Sequence, residues 1–290
     1  DEVTVNISSG LKSWSHWFGV VFEKWTNASV VYIDQNNVLW NYRTMESVSD
    51  FQFDMHALFR LYGNPLENNY KRFSDYTAKD LEICKTIENI RIFNVNDFNS
   101  LTAVLSKDQQ YKYRHSKSGS FDLPSGSYIK WDKEKSKVVL SLANIATQEL
   151  NSPHATELIF NSGWFELKVA KLLSGWSKVK EICMNCIFPF NPKKVKNEVD
   201  IIINTGVKIL FVECKTQINN TTDIDKFRSV IKNYGGIGSK GIFITDAPMS
   251  DMAKEKCHEH GILNFSLKEE HLGMGVEESL FWLLDRELYN

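Results

Sequence analysis

Two segments of this chain, Asn197–Ile203 and Val207–Thr216, are rich in β-branched and apolar residues and are joined by Asn204-Thr205-Gly206. A short Asn- and Gly-containing link between such segments is a hairpin signal, because it supplies the backbone conformations a tight turn needs. Strands apolar on both faces must lie inside a sheet covered on both sides, so this hairpin constrains the fold more than any other feature. Within Leu210-Phe211-Val212-Glu213-Cys214-Lys215, however, a Glu and a Lys stand two apart and share one face, while Val212 and Cys214 share the other. On the first strand, Asp200 interrupts Glu198-Val199-Asp200-Ile201-Ile202. Folding about Thr205 and Gly206 is expected to set Asp200 opposite Phe211, one diagonal step from Glu213.

Acidic and basic side chains in an apolar hairpin cost several kcal/mol unless they are paired or bind metal. Two carboxylates at this separation suit Mg²⁺ or Mn²⁺, hard cations that take oxygen ligands and keep positions for water and phosphate. Such an ion acidifies its water and neutralises a phosphate. Lys215 beside it can orient the water or stabilise charge building on phosphoryl oxygens. Asp200 and Glu213 are therefore expected as metal ligands and Lys215 as the catalytic lysine of a phosphodiester hydrolase. The plainer reading, an exposed Glu-Lys pair worth less than ~1 kcal/mol, conflicts with the continuous apolar flanks.

The remaining pattern is α/β. With 290 residues and 42% hydrophobic content, the chain has material for two cores at roughly 100–200 residues per domain. Val3–Ile7 reads as a strand, Ser8-Ser9-Gly10 as a break, and Leu11–Trp25 as a helix. Val30–Asp34 and Val38–Tyr42 follow as strands joined at Asn36-Asn37. The aromatics Trp14, Trp17, Phe18 and Trp25 fall at helical spacing, which points to core or dimer surface, core first, rather than to a base-stacking platform. Helices are predicted over Asp54–Tyr62, Ala78–Ile90 and Asp97–Leu105, a loop over Ser116–Ser127, and a hairpin from Tyr128–Trp131 and Lys137–Leu142. Ser152-Pro153 predicts the start of one long helix running to about Leu173. After the central hairpin come a helix, Ile224–Tyr234, and a strand, Gly241–Thr245.

A formal charge of -2, spread evenly along the chain, means that a polyanion must meet a local basic patch. Lys193-Lys194-Val195-Lys196 is one candidate, with a solvated loop as its equal alternative. Five scattered cysteines argue against a disulfide framework and fit a reducing cytoplasm. Cys183-Met-Asn-Cys186 has half the spacing of a zinc site, with Cys257-His258-Glu259-His260 as a possible second half, but strand and helix positions explain these residues more simply. No apolar run approaches the roughly 18–20 residues of a membrane span, so no membrane partner is expected. The chain opens on Asp1 rather than Met, which suggests a missing natural N-terminus.

The Asp200 then Glu213-Cys214-Lys215 pattern resembles the PD-(D/E)xK nuclease superfamily, with Val199 where the nominal motif has Pro. The resemblance implies a further acidic metal ligand on a preceding helix, and Glu166 within Gly163-Trp164-Phe165-Glu166 matches it. Asn6-Ile7-Ser8-Ser9-Gly10-Leu11-Lys12 stands where a strand ends and a helix begins, a place suited to anions. It looks like the ligand loop of CARF domains, Rossmann-fold sensors of cyclic oligoadenylates, though Ser9 and Leu11 depart from that pattern. Together these features resemble the CRISPR ancillary nucleases that join a CARF domain to a PD-(D/E)xK domain. The implied architecture is residues 1–62 as the C-terminal part of a CARF-like sensor, its N-terminal part absent, and 63–290 as nuclease. Within the latter, 63–150 would carry accessory helices and a hairpin, and 151–290 a catalytic core with a mixed sheet flanked by helices. The implied protein is a homodimeric endonuclease of the prokaryotic cytoplasm, acting on single-stranded DNA and RNA. Cyclic tetra-adenylate at Asn6, Ser8, Ser9, Gly10 and Lys12 would activate it in type III CRISPR defence. The alternatives are a cyclic-nucleotide or nucleic-acid sensor with an inert nuclease fold, and an ungated restriction or repair nuclease.

Overall fold

The computed structural model describes residues 2–8, 11–34, 38–47, 54–61, 63–67, 70–102, 115–143, 145, 147–160, 162–188, 197–218, 220–236, 238–269 and 273–289. The chain divides into two compact units, Asp1–Asp54 and Met55–Asn290. In the first, β1 (Val3–Asn6) leads through the helix Lys12–Glu23 to β2 (Ala28–Ile33), and β3 (Leu39–Asn41) follows. β1 and β2 pair in parallel and β3 adds antiparallel to β2. A parallel pair needs a crossover, and the helix supplies it in the Rossmann-like manner expected. The aromatic stripe corrects the sequence reading: Trp14, Trp17, Phe18 and Trp25 are 62%, 64%, 49% and 48% exposed. Only Gly19 is buried on this helix, so the narrow packed line runs beside the aromatics rather than through them.

In the second unit, β4 (Lys71–Arg72) precedes an antiparallel sheet of β5 (Ser118–Asp122), β6 (Tyr128–Asp132), β7 (Lys137–Ser141) and β8 (Gln148–Asn151). β9 (Glu181–Phe188), β10 (Asn197–Asn204), β11 (Ile209–Lys215), β12 (Ser239–Thr245) and β13 (Leu263–Ser266) then build a six-stranded sheet in the order β13-β12-β11-β10-β9-β4. β9, β10 and β11 run antiparallel, whereas β11, β12 and β13 run parallel, with the helices Thr222–Tyr234 and Asp251–Glu259 as crossovers. The sheet is mixed and carries a core on each face, as its doubly apolar strands require. Ile201, Ile203, Leu210, Val212 and Ile242 pack with Trp164 and Phe165 of the helix Gly163–Leu173. Ile202, Phe211 and Phe243 pack with Met55, Phe59 and Phe227 on the other face. Among the described residues no helix is long and apolar enough to cross a membrane.

Three further differences from the sequence reading have local causes. The sequence puts a domain boundary after residue 62, but the helix Met55–Leu61 buries Met55 and Phe59 completely in the second unit's core, and the units divide after Asp54. The long helix expected from Pro153 to Leu173 is two, Ala155–Ile159 and Gly163–Leu173, separated by Phe160 in extended backbone and Ser162 at φ 64. Gly163 permits their close approach, since a Cβ there would stand 2.5 Å from the Glu157 carbonyl oxygen. The Ser- and Gly-rich stretch expected as a loop contains β5, whose small residues admit the indole of Trp131: a Cβ on Gly119 would lie 2.4 Å from it. With so little apolar alternation, β5 carries no strand signal of its own.

Phe211 is fully buried between Phe59 and Phe188, at ring-centre distances of 6.1 and 6.5 Å. Phe211→Ala is expected to cost about 3–5 kcal/mol in urea unfolding. A loss below about 1 kcal/mol would contradict the two-faced core described here.

Candidate active site

Glu213 and Lys215 lie at the carboxyl end of β11, where it runs parallel to β12. Crevices beyond the carboxyl ends of parallel strands are the usual ligand sites of open α/β sheets. The hairpin turn closes with Thr205 N–H donating to the Lys208 carbonyl, which centres it between Gly206 and Val207. The register is therefore Ile202 with Phe211 and Ile201 with Val212, one step further along than the sequence link suggests. Asp200 stands abreast of Glu213, not opposite Phe211. Beyond Val212 the ladder gives way to a side-chain bond: Cys214 N–H donates to Asp200 Oδ2 at 2.7 Å. That bond fixes the carboxylate between the two charged residues of β11.

Lys215 Nζ lies 2.6 Å from Glu213 Oε1 and 3.9 Å from Asp200 Oδ2, so one ammonium serves both carboxylates. Glu166, in the first turn of the helix Gly163–Leu173, reaches the same place. Its Oε2 accepts from Asn185 Nδ2 at 3.0 Å. A cleft of about 610 Å³ is lined by Glu166, Asn185, Glu198, Asp200 and Lys215. Glu213 does not line its wall and meets the cleft through the Lys215 ammonium. The structure thus brings together all four residues that the sequence nominates for the catalytic and metal site.

The electrostatics follow from four carboxylates around one lysine. Burial raises the Asp200 carboxyl above its ordinary range, against the Lys215 charge that lowers it. Burial and then the Asp200 charge raise Glu213 to about 7. The same two causes push Glu166 well up and Glu198 up. Burial alone would lower Lys215, but Asp200 and Glu213 hold it above its ordinary value, so the side chain stays protonated. The cluster is short of positive charge, and its donors are all oxygen, which fits a hard divalent ion. Among the described residues no group of three or more His, Cys, Asp and Glu side chains is arranged to hold a metal ion. The fit is therefore to an ion held by one or two carboxylates, with water and phosphate completing its shell, as Mg²⁺ prefers.

The cleft lining also holds residues that the sequence reading does not nominate, Glu198 and Asn185 among them. Glu198 was legible as a second acid two positions before Asp200, and Asn185 as a polar residue inside the apolar run of β9. In the first unit, Asn6 Oδ1 accepts from Ser8 N–H at 2.9 Å and from the Ser8 hydroxyl at 2.5 Å. The Ser8 oxygen in turn accepts from Ile33 N–H at 2.6 Å. Lys12 begins the following helix, which has no side-chain cap. Ser9, Gly10, Asn36-Asn37 and Lys193-Lys194-Val195-Lys196 lie outside the described residues. Cys183, Cys186 and Cys257 are buried core thiols on β9 and on the helix Asp251–Glu259.

A carboxyl whose folded value exceeds its ordinary 4.5 binds its proton more tightly in the fold. The stabilisation from Glu213 is thus complete below pH 4.5 and lost as pH rises through about 7. In metal-free buffer the melting temperature should fall by about 2–6 °C between about pH 5 and about pH 8, and Glu213→Gln should flatten the fall. Identical profiles for the two proteins would contradict the assignment.

Residues 154–269, a span that contains the whole site, match the family model of the Card1-like endonuclease domain. No curated protein matches the chain. Three solved structures share its fold. Can2 from Sulfobacillus thermosulfidooxidans, in complex with cyclic tetra-adenylate, is 18% identical with a TM-score of 0.52, over 99% of this chain and 77% of that one. Protein VC1899 from Vibrio cholerae is 15% identical with a TM-score of 0.61, over 100% and 77%. A type III CRISPR defence DNA nuclease activated by cyclic oligoadenylate is 16% identical with a TM-score of 0.50, over 98% of this chain and 38% of that one. The segment that holds the site matches the Card1-like endonuclease domain in sequence, and the α/β fold of the chain is similar to that of these three proteins.

Proposed function

We propose that this chain is a metal-dependent endonuclease that hydrolyses phosphodiester bonds of single-stranded DNA and RNA. The observation that carries the reading is the single Lys215 ammonium shared by Asp200 and Glu213 at the mouth of an acidic cleft. One or two of the acids Asp200, Glu213 and Glu166 would hold Mn²⁺ or Mg²⁺, which supplies an acidified water and neutralises phosphate charge. Lys215 is held protonated by its two neighbours, so it acts as a cation rather than as a base. Its role is to stabilise the negative charge that grows on the phosphoryl oxygens as water adds and a phosphorus–oxygen bond breaks. The Cys214 N–H bond keeps Asp200 from swinging out of the site when substrate enters.

Gating belongs to the same proposal. The first unit has a strand end, the hydrogen-bonded pair Asn6 and Ser8, and a helix start with no side-chain cap, which leaves backbone N–H groups for an anionic ligand. With Lys12 and the adjoining Ser9 and Gly10 this loop is the site for cyclic tetra-adenylate, the ligand bound by Can2. On this reading the first unit belongs to a CARF-like sensor, its ligand lies between two copies in a homodimer, and the protein works in the cytoplasm of a prokaryote in type III CRISPR defence.

The test is cleavage of labelled single- and double-stranded DNA and RNA with Mn²⁺, with and without cyclic tetra-adenylate. Cleavage of the single strands should rise with the cyclic nucleotide, and Lys215→Ala should lower the rate at least about 100-fold. Unchanged cutting by Lys215→Ala would overturn the catalytic assignment, and equal cutting with and without the nucleotide would overturn the gate.

A further inference from the structure

Asn185 is held in the left-handed region, at φ 53, in the middle of an eight-residue strand. Asn tolerates that region better than other residues with a Cβ, but a strand interior offers it no local reason to go there. The surrounding ladder shows what the conformation does. β9 pairs Met184 with Ile201 and Cys186 with Val199, but not Asn185 with Asp200. On β9, Ile182 and Met184 face one core while Cys186 and Phe188 face the other, so the strand changes phase at Asn185. β10 changes phase at the same rung, with Ile201 and Ile203 in the first core and Val199 in the second. This double change turns Asn185, Glu198 and Asp200 together into the cleft beside Glu166.

Once there, Asn185 is a neutral donor among acids. Its amide donates to Glu166 Oε2 at 3.0 Å, and Glu198 lines the same cleft. A carboxylate has several acceptor directions, so Asn185 can tie Glu166 and leave its remaining lone pairs free. Backbone strain kept at such a place is more often functional than accidental.

We infer that Asn185 is a positioning residue for the metal: its left-handed backbone carries the carboxamide to Glu166 and holds that carboxylate toward the ion beside Asp200. The inference rests on the nuclease reading and adds to it a residue that touches neither phosphate nor metal. Partners that orient metal ligands typically change metal affinity or activity by 10–100-fold when removed.

Asn185→Gly separates this role from a structural one, because Gly keeps the left-handed backbone and deletes only the amide. Mn²⁺ binding is read by calorimetry on the full chain, alongside its melting temperature in EDTA and the Mn²⁺ dependence of cleavage. The expected result is a dissociation constant for Mn²⁺ raised about 10-fold, a melting temperature in EDTA within about 5 °C of the wild type, and a turnover that recovers when Mn²⁺ is raised to saturation. Wild-type Mn²⁺ affinity in Asn185→Gly would overturn the inference. So would a collapse of the EDTA melting temperature, or a rate that stays low at saturating Mn²⁺. If the wild type binds Mn²⁺ yet cuts no nucleic acid, the nuclease reading fails while calorimetry still decides the role of Asn185; if it binds no Mn²⁺, both fail.

Discussion

The structure depends on a shortage of positive charge. Asp200, Glu213, Glu166 and Glu198 converge at the end of a buried hairpin, and Lys215 is the ammonium they share. Burial pushes all four carboxyls upward, and the Asp200 charge adds to it at Glu166, Glu198 and Glu213, which is an unfavourable arrangement for a fold to maintain without a purpose. On the proposed reading a divalent ion would resolve it by adding two positive charges beside Lys215. On that reading stability and chemistry are opposed: what weakens the metal-free chain is what would ready the site for a phosphate-bound metal.

The sheet makes this convergence possible through its change of strand direction. β11 lies between an antiparallel neighbour, β10, and a parallel one, β12, so its carboxyl end opens onto a crevice while β10 delivers Asp200 from the opposite direction. The cores on the two faces are continuous through Ile201, Ile202, Phe211 and Val212, which fixes the register to the residue. A slip of one would send every side chain to the wrong face. The helix Gly163–Leu173 brings Glu166 from one face, and Gly163 allows the tight approach to Ala155–Ile159 that sets its first turn.

Much of this was legible in the residues. The β-branched runs on either side of Asn204-Thr205-Gly206 announced the hairpin, and a Glu and a Lys among apolar neighbours marked the site, because such charges are rarely placed in a core without a partner. The register differs from the sequence expectation because the link's composition points to Thr205 and Gly206, whereas the hydrogen bonds of Thr205 with Lys208 move the turn centre one residue on. What Glu198 and Asn185 do is not legible in the sequence for a different reason. Their roles come from a phase change in β9 and β10, and an alternation pattern reads a strand as if its phase were constant. The aromatic stripe of the helix Lys12–Glu23 misled in the opposite sense, since spacing alone cannot tell a packed face from an exposed one.

The central claim is that these carboxylates are tolerated because a divalent ion sits among them. Anomalous diffraction from crystals soaked in Mn²⁺ tests it most directly. One peak within about 2.5 Å of oxygens from both Asp200 and Glu213 is the predicted result. No peak at saturating Mn²⁺, or a peak only at some other acidic cluster, would contradict it.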